Sequence, residues 1–114
     1  MVNLFMNNIS IIFWENYWKM DLKIEKIIVE LKNEMKKTDS PFLPGQINEI
    51  LPFLYYIQNN NVIKNEDIEF VAEKLGTIGH FSVNSWPFDN EIAIELNEIT
   101  EVYGELIKNK LKRR

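Results

Sequence analysis

The only histidine, His80, lies two residues before Ser82 and nine before Asp89, the residue types of a base, a nucleophile and an acid. Such a set works only when the hydroxyl donates to the imidazole and a carboxylate stands behind the ring, so single copies near one another in sequence do not establish it. Glu91 and Glu95 stand one helical turn apart, a spacing at which two carboxylates can share a hard cation. One histidine with scattered carboxylates does not make a transition-metal cluster. Gly76 and Gly79 lack the downstream Lys-Ser/Thr of a phosphate loop. The chain has no cysteine, which removes disulfides, thiolate catalysis and cysteine-based zinc sites. The expectation is a protein that is not an enzyme, with no catalytic residue, cofactor or metal.

What remains is charge. Between Ser40 and Ile107 there are eleven acidic residues against two lysines, Lys64 and Lys74, although the whole chain carries only −4. Glu91, Glu95, Glu98 and Glu105 fall within about 80° of a helical wheel, flanked by Glu101. Like charges one turn apart mildly oppose the helix, so this strip is not there for helix stability. It reads either as a solvated face or as a docking strip for a basic partner. The expected contact surface comprises Glu66, Asp67 and Glu73, the strip Glu91, Glu95, Glu98 and Glu105, and His80 and Trp86 from the aromatic-rich stretch between them. A field of that sign repels phosphates and attracts cationic surfaces, so a basic protein is the expected partner and nucleic acid is not.

The elements that must position these residues read as helices. A chain of 114 residues, 46% hydrophobic and 26% charged, is one globular domain. Met20, Ile24, Ile27, Ile28, Leu31 and Met35 form one apolar stripe, predicting a helix over Met20–Lys37 that ends at Thr38-Asp39-Ser40-Pro41. Ile47, Ile50, Leu51, Leu54 and Ile57 have helical spacing, but Pro52 lies among them. Because proline is tolerated in a first turn and costs ~3 kcal/mol in an interior, the reading places a turn after Pro44-Gly45 and a helix from about Leu51 to the Asn59–Asn61 run. Asn65–Leu75 reads as a short helix with Asn65 as N-cap, Ile68, Val71, Ala72 and Leu75 buried, and Gly76 ending it. Thr77–Phe88 reads as a packed loop with room for a short extended piece near Phe81–Val83. Asp89 then caps a long helix to Lys112 that buries Ile92, Leu96, Ile99, Tyr103, Leu106 and Ile107, with Gly104 admitting a close backbone neighbour. The fold class is therefore all-α, an irregular bundle of four to five helices with at most a minor β element in 77–88.

Residues 1–19 form an N-terminal extension to the helical domain 20–114. The apolar run Ile9–Trp14 has no preceding Lys or Arg, unlike a signal peptide, and falls far short of the ~20 residues of a membrane span. Three readings stand open: a core helix with Phe5, Ile9, Ile12 and Phe13 inward; a contact surface or homodimer face using Phe13, Trp14, Tyr17 and Trp18; or a translated leader before a start at Met20. With no membrane segment the expected compartment is the cytoplasm.

Two resemblances follow from these residues. Ile68–Gly76, with Ala72 and Gly76 four apart, resembles the first helix and turn of a helix-turn-helix, which implies a phage or mobile-element regulator. The segment after it departs from that pattern, because no Lys or Arg occurs between Leu75 and Ile107 to meet phosphates. By small size, acidic composition and the Lys-, Ile- and Asn-rich usage of an AT-rich bacterial or phage genome, the chain is similar to bacterial toxin-immunity and antitoxin proteins. That resemblance implies a non-catalytic inhibitor covering the basic cleft of a toxin or nuclease domain. A self-associating structural domain is the third reading.

Overall fold

The computed structural model describes residues 20–60 and 62–112. The readings of residues 1–19, and the extension itself, lie outside the described residues. The described chain is all-α, and no strand occurs among the described residues. Helix α1 runs over 20–34, α2 over Pro44–Asn59, a 3-10 turn over Asn65–Asp67, α3 over Ile68–Asn84 and α4 over Glu91–Lys112.

The α1 stripe is buried as its spacing requires: Ile24, Ile27, Ile28 and Leu31 lie in the core, with Met20 and Met35 packed against it. The helix stops three residues sooner than the reading placed it. Glu34 is buried there, paired with Lys37 and accepting a hydrogen bond from the Ser40 hydroxyl at 3.1 Å, so the side chains after residue 34 fold back on the helix end.

Helix α2 begins at Pro44, not near Leu51, and Pro52 lies inside it. The proline faces solvent, so the carbonyl that loses its partner is free to bond to water. Ile47, Ile50, Phe53, Leu54 and Ile57 all bury from one continuous helix, and their burial outweighs the local cost. The orphan N–H of Leu43 donates to Gln46 Oε1 at 3.2 Å, the side-chain half of a capping box.

Helix α3 is the main departure from the sequence reading. Gly76 does not end it; the helix continues through Gly76 and Gly79 to Asn84, and the expected loop and extended piece over 77–88 shrink to the connection 85–90. Neither glycine has positive φ. The reason is the apolar stripe, which runs on from Ile68, Val71 and Leu75 to the fully buried Ile78. Two interior glycines cost about 1 kcal/mol each relative to Ala, less than burying an isoleucine returns. Ala72, expected inside, is exposed. The 3-10 turn takes Asn65–Asp67, so the α-helix proper starts at Ile68, with Asp67 as its flanking residue.

Helix α4 starts two residues after Asp89. Asn90 caps it, its Oδ1 accepting from the N–H groups of Ile92 at 2.9 Å and Ala93 at 3.2 Å. Ala93, Leu96, Ile99 and Ile107 are buried and Ile92 and Tyr103 are half-buried, whereas Leu106 is exposed. Nothing among the described residues lies within 4 Å of a Cβ built on Gly104, so none of their backbone makes the close approach expected there.

Candidate functional site

Helix α3 packs against both α2 and α4. Three side-chain pairs fix α2 and α3 antiparallel. The Tyr56 hydroxyl donates to Asp67 Oδ2 at 2.7 Å, Lys74 pairs with Glu49 at 2.9 Å, and Trp86 Nε1 donates to Gln46 Oε1 at 2.9 Å. With its inner side so occupied, α3 turns a single edge outward. Steps of three and four along it give Glu66, Glu69, Glu73, Gly76, His80 and Val83, of which all but the first belong to the one 17-residue helix. All six are exposed, Val83 at 84%. From Glu66 to Val83 the edge is about 25 Å long at 1.5 Å per residue. The sequence reading set Glu66 and Glu73 on a helix and His80 in a loop. The structure brings the three onto one line because the helix does not stop at Gly76.

None of Glu66, Glu69 and Glu73 belongs to an ion pair among the described residues, and the same holds for the exposed Glu101 and Glu105. Asp67 differs: it is half-buried and occupied by Tyr56. Burial first, and the Asp67 hydrogen bond second, raise the Tyr56 phenol above its ordinary 10.0, against a smaller lowering by the Lys64 N–H.

The strip on α4 is in a different state. Lys23 pairs with Glu98, and Lys26 stands 3.0 Å from Glu95, 3.6 Å from Glu91 and 3.6 Å from Glu30. Glu95 is only 14% exposed, so the inner edge of the strip faces α1 and not water. The charge separation along the chain is undone in space, because α1 lays its lysines beside α4. Glu95 Oε2 is buried without a hydrogen-bond partner among the described residues. A shallow cleft of about 350 Å³ is lined by Glu30, Asn33, Glu34 and Lys37 of α1 and its end, and by Asn90, Glu91 and Ile92 at the start of α4. The Glu95 hydrogen bond, foremost, and the surrounding carboxylates raise the Lys26 ammonium above 10.5, and Glu34 does the same for Lys37. Both remain protonated at neutral pH and cannot serve there as bases or nucleophiles.

The remaining residues singled out in the sequence separate. Trp86, expected on the contact surface, is in the core at 6% exposure, its ring 4.8 Å from Phe42 and 5.9 Å from Phe81. His80 and Ser82 sit two apart on one helix and so point in opposing directions, and Asp89 lies beyond the helix end. They form no triad. No group of three or more metal-ligating side chains occurs among the described residues. The helix-turn-helix resemblance needs a turn at Gly76, where α3 continues unbroken. No described helix is long and apolar enough to cross a membrane.

Gln46, Lys23 and Lys26 were missed by the sequence reading. For Gln46 a signal exists, since glutamine three residues after an N-cap position is the second half of a capping box. For the lysines there is none, because their partners lie about seventy positions away. Compared with protein-family models, curated proteins and solved structures, the chain matches none of them.

Proposed function

We propose that the chain is a non-catalytic protein-binding domain of the toxin-immunity or antitoxin kind, acting in the cytoplasm and docking on a basic partner protein. The observation that carries this reading is the outward edge of α3. Three carboxylates outside the ion pairs of the described residues, a glycine, a histidine and an exposed valine follow one another along a helix locked at both ends. Exposed carboxylates of one sign steer a cationic surface into encounter, and a rigid helix presents them with little ordering cost. The half-neutralised strip Glu91–Glu98 contributes less to that field, and Glu101 and Glu105 extend it on α4. The partner this edge fits is a toxin or nuclease domain with a basic cleft.

The test begins with the gene neighbourhood, where a gene for a basic toxin domain is expected beside this one. The purified pair should then associate at a rate that falls roughly tenfold or more as ionic strength rises through the physiological range. A neighbouring product that binds with no salt dependence, or does not bind at all, sinks the reading.

A further inference from the structure

Two stretches of the chain carry no Asp, Glu, Lys or Arg although 26% of its residues are charged: Ser40–Asn48 and Leu75–Phe88. The fold brings them together at one end of the bundle. Gln46 Oε1 accepts from both the Leu43 N–H and the Trp86 indole, and the Phe42 and Trp86 rings stand 4.8 Å apart. Around that buried joint the surface consists of Leu43, Pro44, Val83, Ser85, Pro87 and Phe88, all exposed. Val83 at 84% and Phe88 at 92% are the most exposed large apolar side chains among the described residues. Phe88 is not exposed because its connection is loose. The Asn90 N–H donates to the Pro87 carbonyl at 3.2 Å, closing a four-residue turn with Phe88 at its second position. Trp86 is anchored in the core before this turn, and Asn90 caps α4 after it. The fixed backbone holds the ring out in water, where it adds nothing to the fold and can be covered at little ordering cost. Aromatic and aliphatic side chains in a charge-free patch have the composition of an interface core.

The surrounding charges decide what fits. Flanking the two stretches in the chain are Lys36, Lys37 and Asp39, and Asp89 and Glu91, all exposed; Lys37 and Glu91 line one cleft. This rim carries both signs, whereas the start of the α3 edge carries carboxylates alone. A basic protein finds no anion in the patch itself. A second copy is repelled at the α3 carboxylates but not here. We infer that this charge-free end is a self-association surface, covered by the same end of a second copy in a two-fold contact. Each patch then meets itself, so apolar side chains meet apolar ones, no lone charge is buried, and mixed rim meets mixed rim. Glu66 lies about 25 Å along the edge from Val83, about three Debye lengths at physiological salt. The acidic starts of the two α3 helices therefore do not oppose the pairing. Whether they bind a basic protein has no bearing on it.

Sedimentation of the full chain from about 1 µM to about 1 mM should show a monomer–dimer equilibrium that added salt does not weaken. Phe88→Asp and Val83→Lys each place a charge in the contact on both copies and should raise the dimer Kd about tenfold or more. Circular dichroism of both variants should keep the native helix content, because the two side chains are exposed. Leu106→Asp, at an exposed apolar side chain of α4, should leave the Kd within about twofold. A monomer throughout the range overturns the pairing, as does growth beyond the dimer. So does a dimer that Phe88→Asp and Val83→Lys leave intact, or one that Leu106→Asp disrupts equally.

Discussion

The two ends of α3 are held by the same device in opposite surroundings. At its start the Tyr56 hydroxyl reaches Asp67 from α2, at a half-buried, charged and partly wet position. Past its end the Trp86 indole reaches Gln46 from the other end of α2, buried between Phe42 and Phe81. Gln46 Oε1 also accepts the Leu43 N–H, so one buried carbonyl ties the start of α2 to the exit of α3. A hydrogen bond to a charged group near solvent trades against water, whereas one inside a ring cluster is backed by the full burial of the rings. Stability is therefore concentrated at the Trp86 end, whereas the start of α3 leaves its glutamates exposed.

The largest effects should fall at the buried end. Trp86→Ala is expected to cost about 3–5 kcal/mol in denaturant unfolding, the range for deleting a buried aromatic. Gln46→Leu, which keeps the volume but leaves the indole N–H and the Leu43 N–H without their acceptor, should cost about 1–3 kcal/mol. If both variants unfold at the wild-type midpoint, the two ends do not differ as described.

At the charged end, Tyr56→Phe removes one hydrogen bond and should cost about 0.5–1.5 kcal/mol at neutral pH. The same residue also carries a pH signature. Its phenol is raised in the folded state, so between 10.0 and the folded value the native chain keeps a proton that the unfolded chain has released. By linkage, stability falls as pH rises above about 10 and is unaffected by this group below that. Tyr56→Phe should flatten the alkaline slope of the unfolding free energy. Absorbance titration of the phenols should show a late-titrating component in wild type that Tyr56→Phe removes.

How far the sequence reveals all this depends on the distance over which each feature is decided. The α1 stripe, the burial of Leu96 and Ile99 and the exposure of Glu66 and Glu73 follow from spacing within one helix, and they are legible. Pro52 and Gly76 mislead because a single residue's propensity, worth about 1–3 kcal/mol, is set against apolar burial along a whole stripe. Ile78 beyond Gly76 was the sign that the stripe went on. The pairing of Glu95 with Lys26, and of Trp86 with Gln46, rests on partners forty or more residues away, which no local pattern encodes. The glycines now make a prediction of opposite sign. A Cβ at Gly76 or Gly79 meets nothing within 4 Å, and neither has positive φ. Gly76→Ala and Gly79→Ala should each stabilise by about 0.5–1 kcal/mol, read as a higher denaturation midpoint. A loss would mean that α3 is broken at that residue.

The smallest stability effect belongs to the outward edge, and it separates recognition from folding most sharply. Glu66→Gln, Glu69→Gln and Glu73→Gln combined should change the unfolding free energy by no more than about 0.5 kcal/mol, because these side chains are exposed and outside the ion pairs of the described residues. Two opposing terms are small here: removing Glu66 and Glu69 gives up favourable charge near a helix start, while removing both Glu69 and Glu73 relieves a repulsion one turn apart. Association with a basic partner should nevertheless slow and lose part of its salt dependence, since steering depends on the summed field and not on any one contact. The same substitutions on Glu91, Glu95 and Glu98 should do the reverse. They unpair Lys23 and leave Lys26 with only Glu30 of its own helix, and so affect the docking of α1 on α4, with a lesser effect on association, because part of that charge is already neutralised within the fold. If the α4 variant slows association as much as the α3 variant while leaving stability unchanged, the contact surface lies on α4, and the edge of α3 is only a solvated face.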